Sequence, residues 1–296
     1  MARAAPAVCA CPEGVLADRE DGTVVRHGGV VVKAHAPGTG GPPHDARMAV
    51  AADVLLREVL LPPLATPAPA DGAPVDGRPV TAWPYGLPVD PADPDAAPWE
   101  DAARLLALLH RTPAPAGLPP MRAPVKVALA VERMRAAGRH PATRAVLRAW
   151  NTLPASCGPV AGHLCHGDFH LGQLVRAPGV PRSPWRLIDI DDVGVGDPAW
   201  DLARPAAWFA AGILPPDVWS RFLGAYGAAG GPAVTPEDPW PRLDVPARAL
   251  TVQTAALAVA KSTAEERPLD EVEEVMIDTC VRIGSLRTEL PPPASP

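Results

Sequence analysis

The stretch from Gly162 to Leu174, GHLCHGDFHLGQL, sets His166, Asp168, His170 and Gln173 within eight positions of an otherwise apolar run. A second polar group, IDIDD over 188–192, ends the apolar run WRLIDID and contributes Asp189, Asp191 and Asp192. Hairpin pairing of the two runs would gather Asp168, Gln173 and Asp189 around one small volume. Carboxylates held that close repel each other and resist ionisation unless a cation joins them. Carboxylate and amide oxygens are hard ligands, and they suit Mg2+. Lys33 closes a β-branched run far upstream, and a point charge on a flexible stem suits a phosphate. A phosphate ligand, a metal carboxylate and a catalytic carboxylate are the minimal parts of phosphoryl transfer.

Composition makes the lysine informative. The chain has 27 basic residues, of which only Lys33, Lys126 and Lys261 are lysine. A strong arginine bias did not place them.

The elements that must hold these residues fall into two textures. GVLADRE, VVRH and VVVKAH are short β-branched runs separated by Asp-Gly and Gly-Gly, which predicts a three-strand meander. After a loop over Gly38–Pro43, HDARMAVAADVLLREVL carries apolar residues at 48, 52, 55 and 59, a helical stripe. Asp45 is expected as its N-cap, with reach to Lys33 as the alternative. Residues 62–78 are rich in Pro, Gly and Ala, with room for a short strand near Leu64 and a turn at Asp76-Gly77. RPVTAWPYG (78–86) reads as another strand, stopped by Pro84 and Gly86. Helices are expected over 98–112, 124–137, 141–152, 198–211, 215–228, 243–264 and 269–288. The prediction is therefore an α+β, two-lobed chain. It has a flexible N-terminus (1–13), a β-rich nucleotide-binding lobe with one helix ending in a hinge (14–86), a helical lobe carrying both polar clusters (87–290) and a flexible tail (291–296).

The bulk numbers narrow the function class. A formal charge of −6 argues against nucleic acid, which requires a basic face. No run approaches 18 uncharged apolar residues, so no membrane span is expected. The five cysteines lack metal or disulfide spacing and read as reduced thiols. No basic start followed by an apolar segment opens the chain, and a cytoplasmic location is expected.

HGDFHLGQL and LIDIDDVGVGDPAWDLA resemble the aminoglycoside phosphotransferase family of small-molecule kinases, which has the protein-kinase-like fold. The HGD-x-H-x-G-Q form with GDPAWDLA is also similar to the maltokinase-like branch. The resemblance covers 163–204 most specifically, with support over 23–35 and 79–110. It implies an ATP- and Mg2+-dependent enzyme that phosphorylates a hydroxyl of an aminoglycoside, aminosugar or sugar-like molecule. Asp168 matches the catalytic aspartate and Asp189 the magnesium aspartate. Gln173 takes the place of the family's metal-binding Asn, one methylene longer. Lys33 matches the lysine on the nucleotide phosphates, and Trp83–Tyr85 falls where the hinge meets adenine, although Pro84 offers no N–H. Asp201 matches an aspartate bracing the catalytic loop, while His166 and His170 read as loop-fixing imidazoles. Two departures stand out. No GxGxxG loop is present, so ADREDGT (17–23) would have to cover the phosphates, and no helix glutamate is evident as the partner of Lys33.

Two other classes compete on these residues: a pseudokinase-like binding protein, and a metal hydrolase using His166, Asp168 and His170. Acids after Asp192 (Asp217, Glu237, Asp238, Asp244, Glu265, Glu266) could hold amino groups of an acceptor. Neither the acceptor's identity nor the oligomeric state is written in these motifs.

Overall fold

The computed structural model describes residues 13–19, 22–64, 77–154, 162–180, 182–235 and 238–286. In chain order the elements begin with strands β1 (Glu13–Arg19), β2 (Gly22–His27) and β3 (Val30–His35). Helix α1 (Pro42–Ala52) and strands β4 (Val80–Pro84) and β5 (Leu87–Pro88) follow. Then come α2 (Trp99–Arg111), α3 (Ala123–Ala137), α4 (Thr143–Trp150), β6 (His163–Cys165), β7 (Leu174–Arg176), β8 (Trp185–Leu187) and β9 (Gly194–Gly196). Four helices close the chain: α5 (Ala203–Ala211), α6 (Pro216–Ala228), α7 (Trp240–Ala264) and α8 (Glu271–Ser285). No described helix is long and apolar enough to cross a membrane.

The chain forms two compact units. The first comprises residues up to 94 together with 172–191, and the second comprises 95–171 and everything from 192 onward. In the first, β1-β2-β3-β4 make an antiparallel sheet, as the glycine-punctuated β-branched runs predict. The stripe expected through residue 59 breaks early. Helix α1 stops at Ala52, where the Asp53 carboxylate accepts from the Leu55 amide at 2.8 Å and turns the chain. Leu55 is consequently 76% exposed, while Val50, Leu56, Val59 and Leu60 form the buried set. Asp45 is not the N-cap; Gly41 holds that position and Asp45 lies inside the first turn. Leu64 is not in a strand, yet its amide donates to the Ala82 carbonyl along β4.

The segment 172–191 was expected to stay with the helical lobe. It joins the first unit instead, for a backbone reason. β7 pairs with both β5 and β8, and β8 exchanges hydrogen bonds with the 59–61 segment: Leu187 N–H to Val59 O at 2.8 Å, and Leu61 N–H to Leu187 O at 2.9 Å. The hairpin expected between the HLC and WRL runs does not form, because β6 pairs with β9 and β8 with β7.

The second unit is helical, with elements within a few residues of the sequence reading. α2 buries Leu105, Leu106 and Leu109 and packs on α6, where Trp99 meets Phe222 edge-on at 5.9 Å. The long α7 is buried on most sides by α3, α4, α5 and α8. α8 starts with a capping box between Asp270 and Glu273. Of the expected flexible N-terminus (1–13), Glu13 is the first residue of β1, while 1–12, the expected tail (291–296), the Glu20-Asp21 part of ADREDGT, Asp76 and Glu237 lie outside the described residues.

Candidate active site

Lys33 and His35 are two apart on β3, so they project from one face of the sheet. The Lys33 ammonium lies 2.7 Å from Asp189 and 2.8 Å from Asp191. The His35 ring meets Asp191 at 3.1 Å with Nδ1 and the Thr81 hydroxyl at 2.9 Å with Nε2. With the proton on Nδ1, the ring donates to Asp191 and accepts from Thr81. Thr81 stands opposite Lys33 in the β3–β4 register, and its oxygen accepts from the Trp83 indole N–H at 2.9 Å. A continuous polar chain thus runs Trp83–Thr81–His35–Asp191–Lys33–Asp189. Burial works to lower the Lys33 pKa, but the two carboxylates outweigh it and hold the ammonium above the ordinary lysine value. Burial likewise works to raise Asp191; the His35 hydrogen bond and the Lys33 charge outweigh it and hold the carboxyl well below the usual range. The missing helix glutamate has its explanation here. Lys33 takes its acids from the segment after β8, and not from α1.

Asp189 sits at φ 64, a left-handed conformation uncommon outside glycine. Its side chain keeps 38% exposure. Gln173 is buried at the end of a 3-10 turn leading into β7, where its carbonyl accepts from the Ile188 amide at 2.9 Å. Tyr85 gives its amide to Gly29 O at 2.7 Å, and the Arg26 guanidinium lies 3.4 Å over its ring. A carboxylate already engaged with a cation, together with a nearby buried amide, is a donor set of the hard-oxygen kind, and it fits Mg2+.

In the second unit, β6 delivers His166, Gly167 and Asp168. The turn is held by Asp201, which is fully buried. Its carboxylate accepts from the His166 amide at 2.6 Å, the Gly167 amide at 2.7 Å and the His110 ring at 2.9 Å. Burial would raise its pKa, but the His110 hydrogen bond and charge outweigh it and keep the group low. Gly167 has φ 80, and a Cβ there would meet the Asp192 carbonyl at 2.2 Å, so no other residue fits this turn.

Asp168 lies 2.8 Å from Lys126 and 3.1 Å from Arg204. Lys126, on α3, also reaches Asp192 at 2.7 Å, and Arg204 also donates to the Phe169 carbonyl at 3.3 Å. Burial pushes Asp168 up, but Lys126 and Arg204 outweigh it and hold the carboxyl below its ordinary value. Asp192 moves the other way. Its burial and the like charge of Asp168 outweigh Lys126 and Arg122, so its proton is held higher. Of the pair sharing Lys126, Asp168 is the one whose ionised form its surroundings favour more.

His166 is buried and His170 half-buried. Among the described residues, His166, Asp168 and His170 do not gather as metal ligands. The His, Cys and Asp atoms that do approach within 4.8 Å belong to His110, Cys165 and Asp201, whose His–Asp pair already braces the turn. Of the acids expected to hold amino groups, Asp217 pairs with Arg221, Asp244 with Arg248 and Glu265 with Arg267, while Asp238 accepts from the Trp240 amide. Sequence reasoning missed Lys126 and Arg204. The rarity of lysine was the available signal for the first, whereas nothing in the chain singles out one arginine among 24.

Searching curated proteins with the sequence finds no match. Solved structures do match. A choline/ethanolamine kinase family protein from Mesorhizobium loti superposes with TM-score 0.59 at 18% identity, covering 97% of this chain and 92% of that one. APH(2")-IIIa, solved with GDP and kanamycin, gives TM-score 0.53 at 14% identity, over 94% and 93% of the two chains. Spectinomycin phosphotransferase APH(9)-Ia, solved with ADP and spectinomycin, gives 0.56 at 11%, over 92% of each. At these identities the likeness establishes the fold, an α+β protein-kinase-like one. Residues 15–244 match the APH phosphotransferase enzyme family, and the chain belongs to that family as a small-molecule kinase.

Proposed function

We propose that the protein transfers the γ-phosphate of ATP to a hydroxyl of a small polar molecule. The observation that carries this reading is the pairing of Lys33 with Asp189, an ammonium and a carboxylate of the types the transfer requires, 156 positions apart in sequence and 2.7 Å apart in space. In the first unit, Lys33 grips the nucleotide phosphates, and the Trp83–Tyr85 stretch receives the base. Asp189 and Gln173 are the residues that would hold Mg2+, which when bound offsets phosphate charge. In the second unit, Asp168 accepts a hydrogen bond from the acceptor hydroxyl and orients it. The hydroxyl oxygen bonds to the γ-phosphorus as the bond from phosphorus to the β–γ bridging oxygen breaks. The hydroxyl proton goes to Asp168, and ADP departs with the electron pair. A carboxylate of lowered pKa is a weak base, so Asp168 contributes mainly by orientation, with proton acceptance late in the step. Asp201 keeps the His166–Asp168 turn in shape, with His166 and His170 as supporting imidazoles. Relatives of the same fold solved with ADP or GDP support nucleotide use. A cytoplasmic setting is part of this reading; burial pushes the Cys280 thiol up to about 12 and leaves it unreactive.

The test is acceptor-dependent ADP formation from Mg-ATP across aminoglycosides, aminosugars, sugars and sugar acids. Turnover with one class supports the reading. Binding of Mg-ATP with no turnover for any class would leave a nucleotide-binding protein in its place.

A further inference from the structure

We infer that the acceptor is a hydroxy acid, a small molecule whose reacting hydroxyl stands beside a carboxylate. This rests on the kinase reading above and narrows its substrate class.

The charges around Asp168 are unequal in sign. A kinase acting on a polyamine sugar needs carboxylates left over to receive ammonium groups. Here both local carboxylates are already engaged: Asp168 by Lys126 and Arg204, and Asp192 by Lys126 at 2.7 Å and Arg122 at 3.7 Å. Two acids face three cations, so the residual charge is positive. Of the acids further along the chain, Asp217, Asp244 and Glu265 each pair with an arginine of their own segment.

The donors are also incompletely used. An ammonium has three N–H donors and a guanidinium five. Among the described residues, Lys126 spends two on carboxylates, and Arg204 spends one on Asp168 and one on the Phe169 carbonyl. Donors aimed around a carboxylate, with capacity to spare, are suited to a second carboxylate. Arg204 suits it best, because a guanidinium can take a carboxylate through two parallel N–H bonds.

The spacing matches a hydroxy acid. The Arg204 guanidinium is one hydrogen bond, 3.1 Å, from the Asp168 oxygen that would receive the acceptor's hydroxyl. In an α- or β-hydroxy acid, the hydroxyl and carboxylate are separated by about one such contact. The recess beside Asp168 is lined by Lys126 and Arg204 together with Phe169, Trp200 and Leu250, so both cations face the space next to that carboxylate.

The test uses the full chain. Stabilisation by Mg-ATP in thermal unfolding is established first. ADP release is then measured with D-glycerate and gluconate, with the matched polyols glycerol and glucose, and with kanamycin. Expected is turnover with a hydroxy acid exceeding its matched polyol by at least about tenfold in kcat/KM, and none with kanamycin. Arg204→Gln should bring that preference down toward one, and Arg204→Lys should keep part of it. The wild-type ratio decides the matter even where a variant fails to fold. A polyol or kanamycin serving as well as the acid, no hydroxy-acid turnover in a protein stabilised by Mg-ATP, or an unchanged preference in a folded Arg204→Gln each overturns the inference and leaves the kinase reading standing. Absence of any Mg-ATP stabilisation overturns the kinase reading itself.

Discussion

The Lys33 ammonium sits 2.7 Å from Asp189 although 156 positions separate them in the chain. Asp191 reaches the same ammonium at 2.8 Å and ties it to His35. The second unit repeats the motif, with Lys126 between Asp168 and Asp192. Two of the three lysines in an arginine-biased chain are therefore each clasped by two aspartates. A compact ammonium can meet two carboxylates at once, whereas a planar guanidinium favours one in bidentate fashion.

Replacing Lys33 by Met should weaken Mg-ATP binding at least about tenfold. It also leaves Asp189 and Asp191 facing each other without a cation. Breaking a fully buried pair costs about 3–5 kcal/mol. With Asp189 38% exposed, solvent screens part of that, and a loss of roughly 1–3 kcal/mol is expected. Nucleotide titration and urea unfolding check both numbers, and a wild-type titration curve would remove Lys33 from the nucleotide site.

Asp168→Asn should lower kcat by about 10²–10⁴-fold, the range for losing a positioned general base. Mg-ATP binding should stay close to wild type, because no nucleotide contact is assigned to this side chain. Unchanged turnover would exclude Asp168 from the reaction.

Asp201→Asn tests the brace. The carboxylate accepts from the His166 and Gly167 amides and from His110 in a fully buried setting. An amide in its place turns one acceptor into a donor facing N–H groups. Leaving such groups unpaired costs about 1–3 kcal/mol each. A Tm drop of several degrees should accompany a lower kcat. Full stability would show that the turn is held by other contacts.

The pH response follows from the clasped groups. Asp191 and Asp168 have folded pKa values below their unfolded ones, near 3.9. Their stabilisation is present above about pH 4 and is lost as pH falls through the folded values. Lys33 is raised, so its contribution is complete below about pH 10.4 and fades only as pH rises through its folded value. Urea unfolding between pH 3 and pH 7 should show stability falling on the acid side, and Asp191→Asn should shallow that slope. An identical slope in the variant would mean that other carboxylates carry the acid sensitivity.

Much of this molecule is legible in one dimension. β-Branched runs cut by Asp-Gly and Gly-Gly dictate β1–β3 because turn chemistry and strand propensity are local. The helices of the second unit follow from apolar spacing and land within a few residues. Asp168 and Asp189 are conspicuous because a carboxylate at the end of an apolar run has no packing reason to be there. Lys33 is conspicuous because the chain otherwise uses arginine.

What failed to read is non-local. The end of α1 at Ala52 turned on one Asp53 hydrogen bond, which overrode a plausible stripe. The pairing of β6 with β9, and of β7 with β5 and β8, depends on which backbone groups find partners once the chain is folded. Three-residue strands carry too little pattern to specify a neighbour.

The sequence by itself determined the chemical types available, an ammonium, several carboxylates and an amide, and the local elements that carry them. The tertiary structure alone decided which charges meet: Lys33 with Asp189 and Asp191, and Lys126 and Arg204 with Asp168. The physical reason is reach. Turns and helices arise from groups a few residues apart, but an ion pair forms between side chains brought within about 3 Å by every strand and helix packed between them.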